Sequence, residues 1–253
     1  WALSKSEQVE QLYCAPGNGG IAADAVCVPE IGAKDISAQV DFAKTHSIDF
    51  AVVAPDDPLV LGAVDALEAA GIPCFGPEAK AAIIEGSKVF SKDLMKKYGI
   101  PSAAYETFDN ADAALAYLET AKMPIVLKAD GLALGKGVLI CNTLEEAKEG
   151  VKTLMLDKQF GSAGDKIVIE EFMTGREVSV LCFCDGTHIK PMASAQDHKR
   201  AKDGDQGLNT GGMGTFSPSP FYTDDVDKFC KEHVYQKTMD AMKAEGSCLL
   251  YTS

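Results

Sequence analysis

Short apolar runs alternate with amphipathic stretches between residues 12 and 76, and this alternation constrains the fold of the chain most. The apolar runs lie in "LYCAPG", "DFAVVAP" and "IPCFGP", and helical patterns cover residues 37–46 and 59–70. Such alternation predicts a parallel sheet with helices packed against it. Ligands bind at the carboxyl ends of parallel strands, which here lead into "APGNGG", "APDDPLV" and "FGPEA". Each of these segments is also compatible with an ordinary turn.

A different pattern starts after Gly86. Residues 87–98, "SKVFSKDLMKKY", predict an amphipathic helix that Gly99 and Pro101 end, because glycine caps a helix and proline cannot continue it. Asn110 and Thr143 each precede a helical pattern with acids in its first turn, as N-cap residues do. Strands are predicted at 125–128, 137–141, 166–172 and 177–184. The predicted fold class is therefore an α/β unit followed by an α+β unit.

The composition predicts a soluble protein of one or two domains, since 46% of its 253 residues are hydrophobic and 24% are charged. A net charge of -13 argues against a nucleic-acid partner, because phosphate backbones bind clustered Lys and Arg. No apolar run approaches the roughly 18 residues of a membrane helix, and no signal peptide precedes the first element, so we expect no membrane partner and a cytoplasmic location. The 8 cysteines include no Cys-x-x-Cys pair, and we expect reduced, mostly buried thiols.

The segment "KADGLALGKGV", residues 128–138, combines two lysines with a glycine-rich turn. It is not the phosphate loop that joins a strand to a helix, because Gly137 follows Lys136 where that loop needs Ser or Thr. Apolar strands on both sides instead predict a β-hairpin. Glycines let the backbone approach an anion and lysines supply charge, although a surface hairpin with solvated lysines fits equally well.

Two further segments are rich in polar residues. The strand in "KIVIEEFMTGREVSV" ends in Glu170 and Glu171, and a desolvated carboxylate needs a partner such as a ligand or a lysine unless the strand simply reaches the surface there. Residues 194–220 predict a long loop without regular elements, which is typical of a functional or a disordered segment. Within it His198 is a candidate general base, but a hydrogen-bonding role is the more common one for a lone histidine.

Several motifs in this order and spacing resemble the phosphoribosylamine-glycine ligase family, also called glycinamide ribonucleotide synthetases, of the ATP-grasp superfamily. The motifs are "KADGLALGKGV", "VIEEFMTGREVS", "QDHKR" and "NTGGMG", and "APGN", "FGP", "EGSK" and "GIPSAAYETF" fit the same family. The resemblance covers nearly the whole chain and is specific because many motifs agree.

The resemblance implies an ATP site around the hairpin, with Mg²⁺ or Mn²⁺ accompanying the nucleotide. Lys128 and Lys136 would reach the phosphates, the strand end at Glu170 would form the adenine edge, and Glu177 would bind the ribose hydroxyls through charge-assisted hydrogen bonds. The implied ATP-binding residues are Lys128, Gly135, Lys136, Gly137, Glu170, Glu171, Phe172, Met173 and Glu177.

The resemblance also implies a reaction in which ATP, glycine and 5-phosphoribosylamine give glycinamide ribonucleotide, ADP and phosphate in purine synthesis. A carboxylate is a poor electrophile, so the family phosphorylates glycine first and the amine then attacks the glycyl phosphate, which requires positioning and charge neutralisation. The implied catalytic residues are Lys136, Asp197, Lys199 and Arg200. The implied substrate-binding residues are Asn18, Asp56, Pro58, Asp197, His198, Lys199, Arg200, Asn209, Thr210, Gly211, Gly212 and Met213.

The chain departs from the family pattern at both ends. It lacks the family's first strand and glycine-rich turn, and it lacks the later Glu and Asn that bind magnesium, so no metal ligand is assigned to it. We therefore expect a truncated Rossmann-like domain over 1–86 and an incomplete ATP-grasp domain over 87–253, with 247–253 as a candidate non-native segment. The alternative functions are ligation of another carboxylate and amine by an ATP-grasp enzyme, or nucleotide binding without catalysis.

Overall fold

The computed structural model describes residues 1–132, 137–204, 206–210 and 212–247, without the side chains of 208 and 209. The chain divides into two compact units between Gly86 and Ser87. Helices and strands occur in both units, which confirms the predicted α/β plus α+β class. Within the described part of the chain, no helix is long and apolar enough to cross a membrane.

The first unit contains four two-residue strands and four α-helices, and two 3₁₀ turns, Leu3–Lys5 and Ile21–Ala23, lie before and after β1. Its elements are β1 Tyr13–Cys14, β2 Val26–Cys27, α1 Ile36–Thr45, β3 Ala51–Val52, α2 Asp56–Val60, α3 Ala63–Ala69, β4 Cys74–Phe75 and α4 Ala79–Gly86. β1 pairs with β2 and β3 pairs with β4, both in parallel, as the alternating pattern predicts. The core of the unit includes Ala43, Val64 and Leu67 from α1 and α3, and Cys74 from β4.

The helix predicted over residues 59–70 is wrong in its extent. α2 begins at Asp56 and ends at Val60, whereas α3 begins only at Ala63. Gly62 separates the two helices with a φ of 84°, a left-handed conformation that glycine adopts without steric cost. Most of the segment "APDDPLV", which we expected to be a loop, is therefore the helix α2.

An apolar cavity of about 440 Å³ lies in the first unit, and its lining includes one strand of each pair. Tyr13 and Cys14 of β1 contribute to the lining, as do Ala51 and Val52 of β3. Phe50 and Val52 are 46% and 45% exposed. The two strand pairs therefore leave apolar surface uncovered.

The second unit contains a four-stranded sheet, three smaller strand pairs and five helices among its described residues. Its elements are α5 Lys88–Tyr98, β5 Tyr105–Phe108, α6 Ala111–Leu118, β6 Ile125–Ala129, β7 Val138–Cys141, α7 Leu144–Val151, β8 Ile167–Glu171, β9 Cys182–Cys184, β10 Ile189–Pro191, β11 Gln196–Asp197, β12 Arg200–Lys202, β13 Gln206–Asn209, β14 Thr215–Phe216, α8 Asp224–Cys230 and α9 Gln236–Ala244. A π-helical turn, Lys152–Leu156, follows α7, and another, Lys231–Tyr235, precedes α9.

The four-stranded sheet has the order β5-β8-β6-β7 and is antiparallel throughout. β6 and β7 form the predicted hairpin, with Ile125 opposite Cys141 and Lys128 opposite Val138. One face of the sheet packs on α6 and α7, where Leu118, Leu127 and Ile169 are fully or almost fully buried. The helix α7 lies close to the sheet, since a Cβ on Gly150 would come within 3.1 Å of the Leu127 side chain.

The predicted helix starts in this unit are confirmed. Asn110 accepts a hydrogen bond from the Ala113 amide and Thr143 accepts one from the Glu146 amide, so both side chains cap their helices. α5 ends at Tyr98, and the next residue, Gly99, has a φ of 62°, the left-handed conformation that commonly terminates a helix.

The long loop predicted over residues 194–220 is wrong, because the segment folds into two nested antiparallel pairs. β11 pairs with β14, and β12 pairs with β13 inside that hairpin. The strand predicted over 177–184 is also wrong in its extent. Only Cys182–Cys184 forms a strand there, paired with β10, and Ser179 makes an isolated bridge to Ala195.

Candidate functional site

The four-stranded sheet has a second face, opposite the core, and we call it the outer face. Side chains alternate along a strand and directly paired residues share a face, so the pairing assigns this face unambiguously. The outer face carries Tyr105, Thr107, Val126, Lys128, Val138, Ile140, Val168 and Glu170. Val138 and Ile140 are 41% and 49% exposed, so apolar surface is accessible beside the charged residues.

Glu170 lies at the centre of this face and is held by two lysines. Its Oε2 atom is 3.0 Å from the Nζ of Lys128 and 3.2 Å from the Nζ of Lys92 on α5. The side chains of Glu170, Lys92 and Lys128 are 6%, 10% and 28% exposed. A carboxylate buried to this degree is costly unless it is paired, and the lysines provide the partner that the sequence predicted for it.

The two lysines differ in their surroundings. Lys92 also donates a hydrogen bond of 2.6 Å to Ser102 Oγ, and it lies 5.5 Å from the ring centroid of Tyr105. Lys128 has the more exposed side chain of the two. The Oε1 atom of Glu170 is buried and has no hydrogen-bond partner among the described residues. In this cluster Lys92 is held in place, Lys128 is more accessible, and Glu170 Oε1 is free to accept a further hydrogen bond.

The start of α5 is fastened to the base of the hairpin. Asp130 follows β6 and accepts hydrogen bonds from the Val89 amide at 3.1 Å and from Ser87 Oγ at 3.0 Å. Lys88 Nζ donates to the carbonyl of Gly131. Lys88, Lys92 and Asp130 were not among the residues predicted for the site. The spacing of Lys88 and Lys92 was the available signal, because residues four apart share one face of a helix.

The tip of the hairpin is described only in part. Gly135 and Lys136 lie outside the described residues. Gly137 is buried where β7 begins, and its carbonyl accepts a hydrogen bond from the Ala129 amide at 2.8 Å. Lys128 is thus the hairpin lysine that the structure places on the outer face.

β8 ends at Glu171, and the chain leaves the sheet after that residue. Glu171 pairs with the neighbouring segment, since its Oε1 accepts a hydrogen bond of 2.9 Å from the Ala104 amide. Phe172 and Met173 are 38% and 66% exposed. The predicted adenine edge is therefore an accessible, partly apolar segment beside the outer face.

Lys199 joins two acids from different segments. Its Nζ lies 2.8 Å from Glu177 Oε1 and 3.0 Å from Asp197 Oδ2. The hydrogen bond from Lys199 lowers the pKa of Asp197, and the hydrogen bond to Glu177 raises the pKa of Lys199. Asp197, Lys199 and Glu177 thus form one charged cluster, which brings together predicted ATP-binding and substrate-binding residues.

The other predicted residues of this segment lie between the end of β11 and the start of β14. His198 donates its amide to the Gly214 carbonyl at 2.9 Å, Arg200 Nη1 donates to the Gly207 carbonyl at 3.0 Å, and Thr210 Oγ1 donates to the His198 carbonyl. Gly212 donates its amide to Thr210 Oγ1, and Met213 is 89% exposed. The backbone of Asn209 pairs with Arg200, its side chain is not described, and Gly211 lies outside the described residues.

Three predicted substrate residues belong to the first unit. Asn18 Oδ1 accepts hydrogen bonds from the amides of Gly20 and Ile21, so its carbonyl oxygen stabilises the turn after β1. Asp56 lies in the first turn of α2, and Pro58 is buried in the same helix.

No group of three or more His, Cys, Asp or Glu side chains suited to a metal ion occurs in the part of the chain that the structure describes. Glu170 on the outer face and Glu177 after the sheet each pair with a lysine instead. The acids among the described residues are therefore not arranged to hold a divalent cation by themselves.

Two family models together cover almost the entire chain. Residues 1–85 match the N domain of phosphoribosylglycinamide synthetase, and residues 86–252 match its ATP-grasp (A) domain. The chain belongs to the phosphoribosylglycinamide synthetase family. The predicted family resemblance is thereby confirmed.

Curated relatives of the family are similar over nearly the full chain. Phosphoribosylamine-glycine ligase from Allochromatium vinosum is 48% identical over 247 residues, which are 97% of this chain and 58% of the relative. The enzyme of the same name from Escherichia coli K12 is 48% identical over 248 residues, 98% of this chain and 58% of the relative. The chain therefore spans a little more than half the length of these relatives.

Solved structures support the same fold. The crystal structure of phosphoribosylamine-glycine ligase from Thermotoga maritima has a TM-score of 0.81 and 32% identity, covering 98% of this chain and 59% of that one. The biotin carboxylase domain of Hydrogenobacter thermophilus 2-oxoglutarate carboxylase, solved with MgADP, ADP and bicarbonate, has a TM-score of 0.67 and 17% identity, covering 88% of this chain and 49% of that one. At that identity the second likeness concerns the fold alone.

Proposed function

We propose that the protein ligates glycine to 5-phosphoribosylamine with ATP through a glycyl phosphate, giving glycinamide ribonucleotide, ADP and phosphate in purine biosynthesis. The observation that carries the proposal is the meeting of Lys128 and Glu170 on the outer face at the base of a glycine-rich hairpin, in a chain of this family. Residues 1–86 are proposed as the Rossmann-like domain and residues 87–253 as the ATP-grasp domain.

The outer face suits the nucleoside part of ATP. Val138 and Ile140 provide exposed apolar surface for a flat base, and the segment after Glu170 supplies backbone groups at its edge. Glu170 Oε1 is a buried acceptor of the kind that an amino group of the base would satisfy. Glu177 remains the proposed partner of the ribose hydroxyls, with Lys199 beside it.

The phosphates are proposed to lie over the hairpin. Lys128 is partly exposed and Lys88 contacts the backbone at Gly131, so two cations border the hairpin base among the described residues. Gly135 and Lys136, at the hairpin tip, are proposed to bind the phosphates from the other side. Mg²⁺ or Mn²⁺ would neutralise phosphate charge when bound, and we propose no metal ligand from this chain.

Glycine and 5-phosphoribosylamine are proposed to lie near the charged cluster of Asp197, Lys199 and Glu177. Lys199 neutralises two carboxylates there, and Arg200 lies beside it in β12. Such groups position an acyl phosphate and an attacking amine without forming a covalent bond to the protein. The cytoplasm is the proposed compartment, which suits the free thiols of the described cysteines.

The test is phosphate release from ATP by the full-length protein that carries this chain, with glycine and 5-phosphoribosylamine added singly and together. Release that requires both substrates, accompanied by glycinamide ribonucleotide, is the expected result. Release driven by another carboxylate would reject the substrates and leave an ATP-grasp ligase, whereas nucleotide binding without release under any combination would indicate a non-catalytic module.

A further inference from the structure

We propose that Lys92 is a positioning residue that keeps Glu170 paired when Lys128 turns from Glu170 to the phosphates of a bound nucleotide. The inference rests on the proposed function, because it takes ATP as the anion that Lys128 meets. The described contacts of Lys92 are with Glu170, Ser102 and the Tyr105 ring, and Glu170 is the one of these that also holds Lys128, so we assign the effect of Lys92 on the ligand to Glu170.

The geometry creates a competition for Lys128. Its Nζ donates to Glu170 Oε2 at 3.0 Å, and an amine committed to that carboxylate is not free to serve an anion equally well. If Lys128 moves, Glu170 loses one of its two described cationic partners while remaining 5% exposed. An amino group of the base would give the buried Oε1 a hydrogen bond but no positive charge, so without Lys92 the buried carboxylate would have no described cationic partner.

Lys92 removes this penalty because it remains in place. Ser102 Oγ holds its Nζ at 2.6 Å, and its side chain is only 10% exposed, compared with 28% for Lys128. The same Oε2 atom lies 3.2 Å from Lys92, which therefore keeps a charge partner on Glu170 in both positions of Lys128. The protein binds ATP in the state in which Lys128 has left Glu170, and the observed affinity falls when that state is rarely populated. Lys92 stabilises that state and therefore raises the affinity for ATP.

This role makes a prediction that a purely structural lysine would not. In Lys92→Met, Glu170 would hold Lys128 more firmly, and ATP should bind about fivefold or more weakly while adenosine, which lacks phosphates, keeps its affinity within about twofold. In the double variant Lys92→Met/Glu170→Gln, the neutral amide no longer retains Lys128, and the preference for ATP over adenosine should return.

The experiment measures the dissociation constants of ATP and adenosine for the full-length protein and its variants by calorimetry, with the thermal midpoint of each variant recorded. Lys96→Met is the matched control, since Lys96 lies one turn further along α5 and also stands 5.5 Å from the Tyr105 ring, but is exposed. It should change neither constant.

Equal losses for ATP and adenosine in Lys92→Met, or no loss for either, would overturn the role of Lys92 while leaving the proposed function intact. No selective return of ATP affinity in the double variant would also overturn it. If Lys92→Met does not fold, the ratio of the two constants in the double variant and in Lys92→Arg decides, because the proposal requires both to remain close to the native ratio. Failure of the unchanged protein to bind ATP more tightly than adenosine would reject the nucleotide site itself.

Discussion

Lys128 is the residue on which the proposed nucleotide site depends most among those that the structure describes. It lies on β6 at the base of the hairpin, points to the outer face and donates to the buried Glu170. Its exposed fraction of 28% leaves its amine within reach of a ligand. A single cation in this position should therefore matter more for phosphates than for the base.

Replacing Lys128 by Met should weaken ATP binding at least tenfold, on the order of 1.4 kcal/mol, because a cationic partner of the phosphates is lost. Calorimetric titration with ATP measures the effect. Lys122→Met, in the exposed loop before β6, is the control and should bind as the unchanged protein does. An unaltered constant for Lys128→Met would remove this residue from the site.

The Asp197 and Lys199 pair gives a pH-dependent prediction. The hydrogen bond from Lys199 lowers the pKa of Asp197, so the ionised pair stabilises the fold above the ordinary aspartate pKa, and this stabilisation is lost as the pH falls through the lowered pKa. Lys199→Met should raise the pKa of Asp197 and abolish that part of the acid dependence. Carbon NMR of the Asp197 carboxyl during a pH titration measures this pKa. Lys202→Met is the control and should leave the titration of Asp197 unchanged.

Residue-level prediction from sequence succeeds where a motif is continuous and fails where partners are distant. Lys128 and Glu170 are recognisable because each lies in its own strand motif. Lys92 belongs to an ordinary amphipathic helix, and its contact with Glu170 arises only when α5 packs beside β8. No local sequence pattern predicts that Lys92 and Glu170 pair.

At the scale of elements, the span of α5 and the starts of α6 and α7 were predictable from the sequence. Their caps are single residues with a local mechanism, as Asn110 and Thr143 show. The nested pairs β11–β14 and β12–β13 were not predictable, because these strands are two to four residues long and carry polar side chains instead of an alternating apolar pattern. Their order comes from backbone pairing that the sequence pattern does not encode.

The end of α5 offers a test of backbone conformation without a packing change. Gly99 has a φ of 62°, and nothing lies within 4 Å of the position of a Cβ added to it. Gly99→Ala should therefore destabilise the second unit by about 1 kcal/mol through left-handed strain alone. Chemical denaturation measures this, and Gly99→Asn should cost less because asparagine tolerates that region. Equal stability of the Ala variant and the unchanged chain would contradict the described helix end.

Across the whole molecule the two units differ in how well they cover their strands. The central strands β6 and β8 of the second unit bury Leu127, Ile167 and Ile169 completely, although the outer face of β7 is exposed. The first unit leaves Phe50 and Val52 about half exposed beside an apolar cavity. The alternating sequence pattern predicted strands and helices in the first unit, but pattern alone cannot report how many neighbours each strand obtains.

The 253-residue chain should consequently show unequal protection from hydrogen exchange. Amides of β6 and β8 should exchange slowly, and those of β1 and β3 should exchange faster by at least an order of magnitude, since local opening costs less where few apolar contacts are broken. Mass spectrometry of exchanged peptides measures both regions in one sample. A single sharp thermal transition with equal protection in both units would contradict this expectation of a marginally stable first unit.

The hydrogen bonds of Asp130 make the amides at the start of α5 sensitive to the position of the hairpin. Asp130 receives the Val89 amide and the Ser87 hydroxyl, and that hydroxyl oxygen in turn accepts the Phe90 amide. A shift of the strand end that carries Asp130 must therefore stretch one of these bonds and disturb the next. If a bound ligand displaces the hairpin, the NMR chemical shifts of the Val89 and Phe90 amides should change, even when α5 itself does not move.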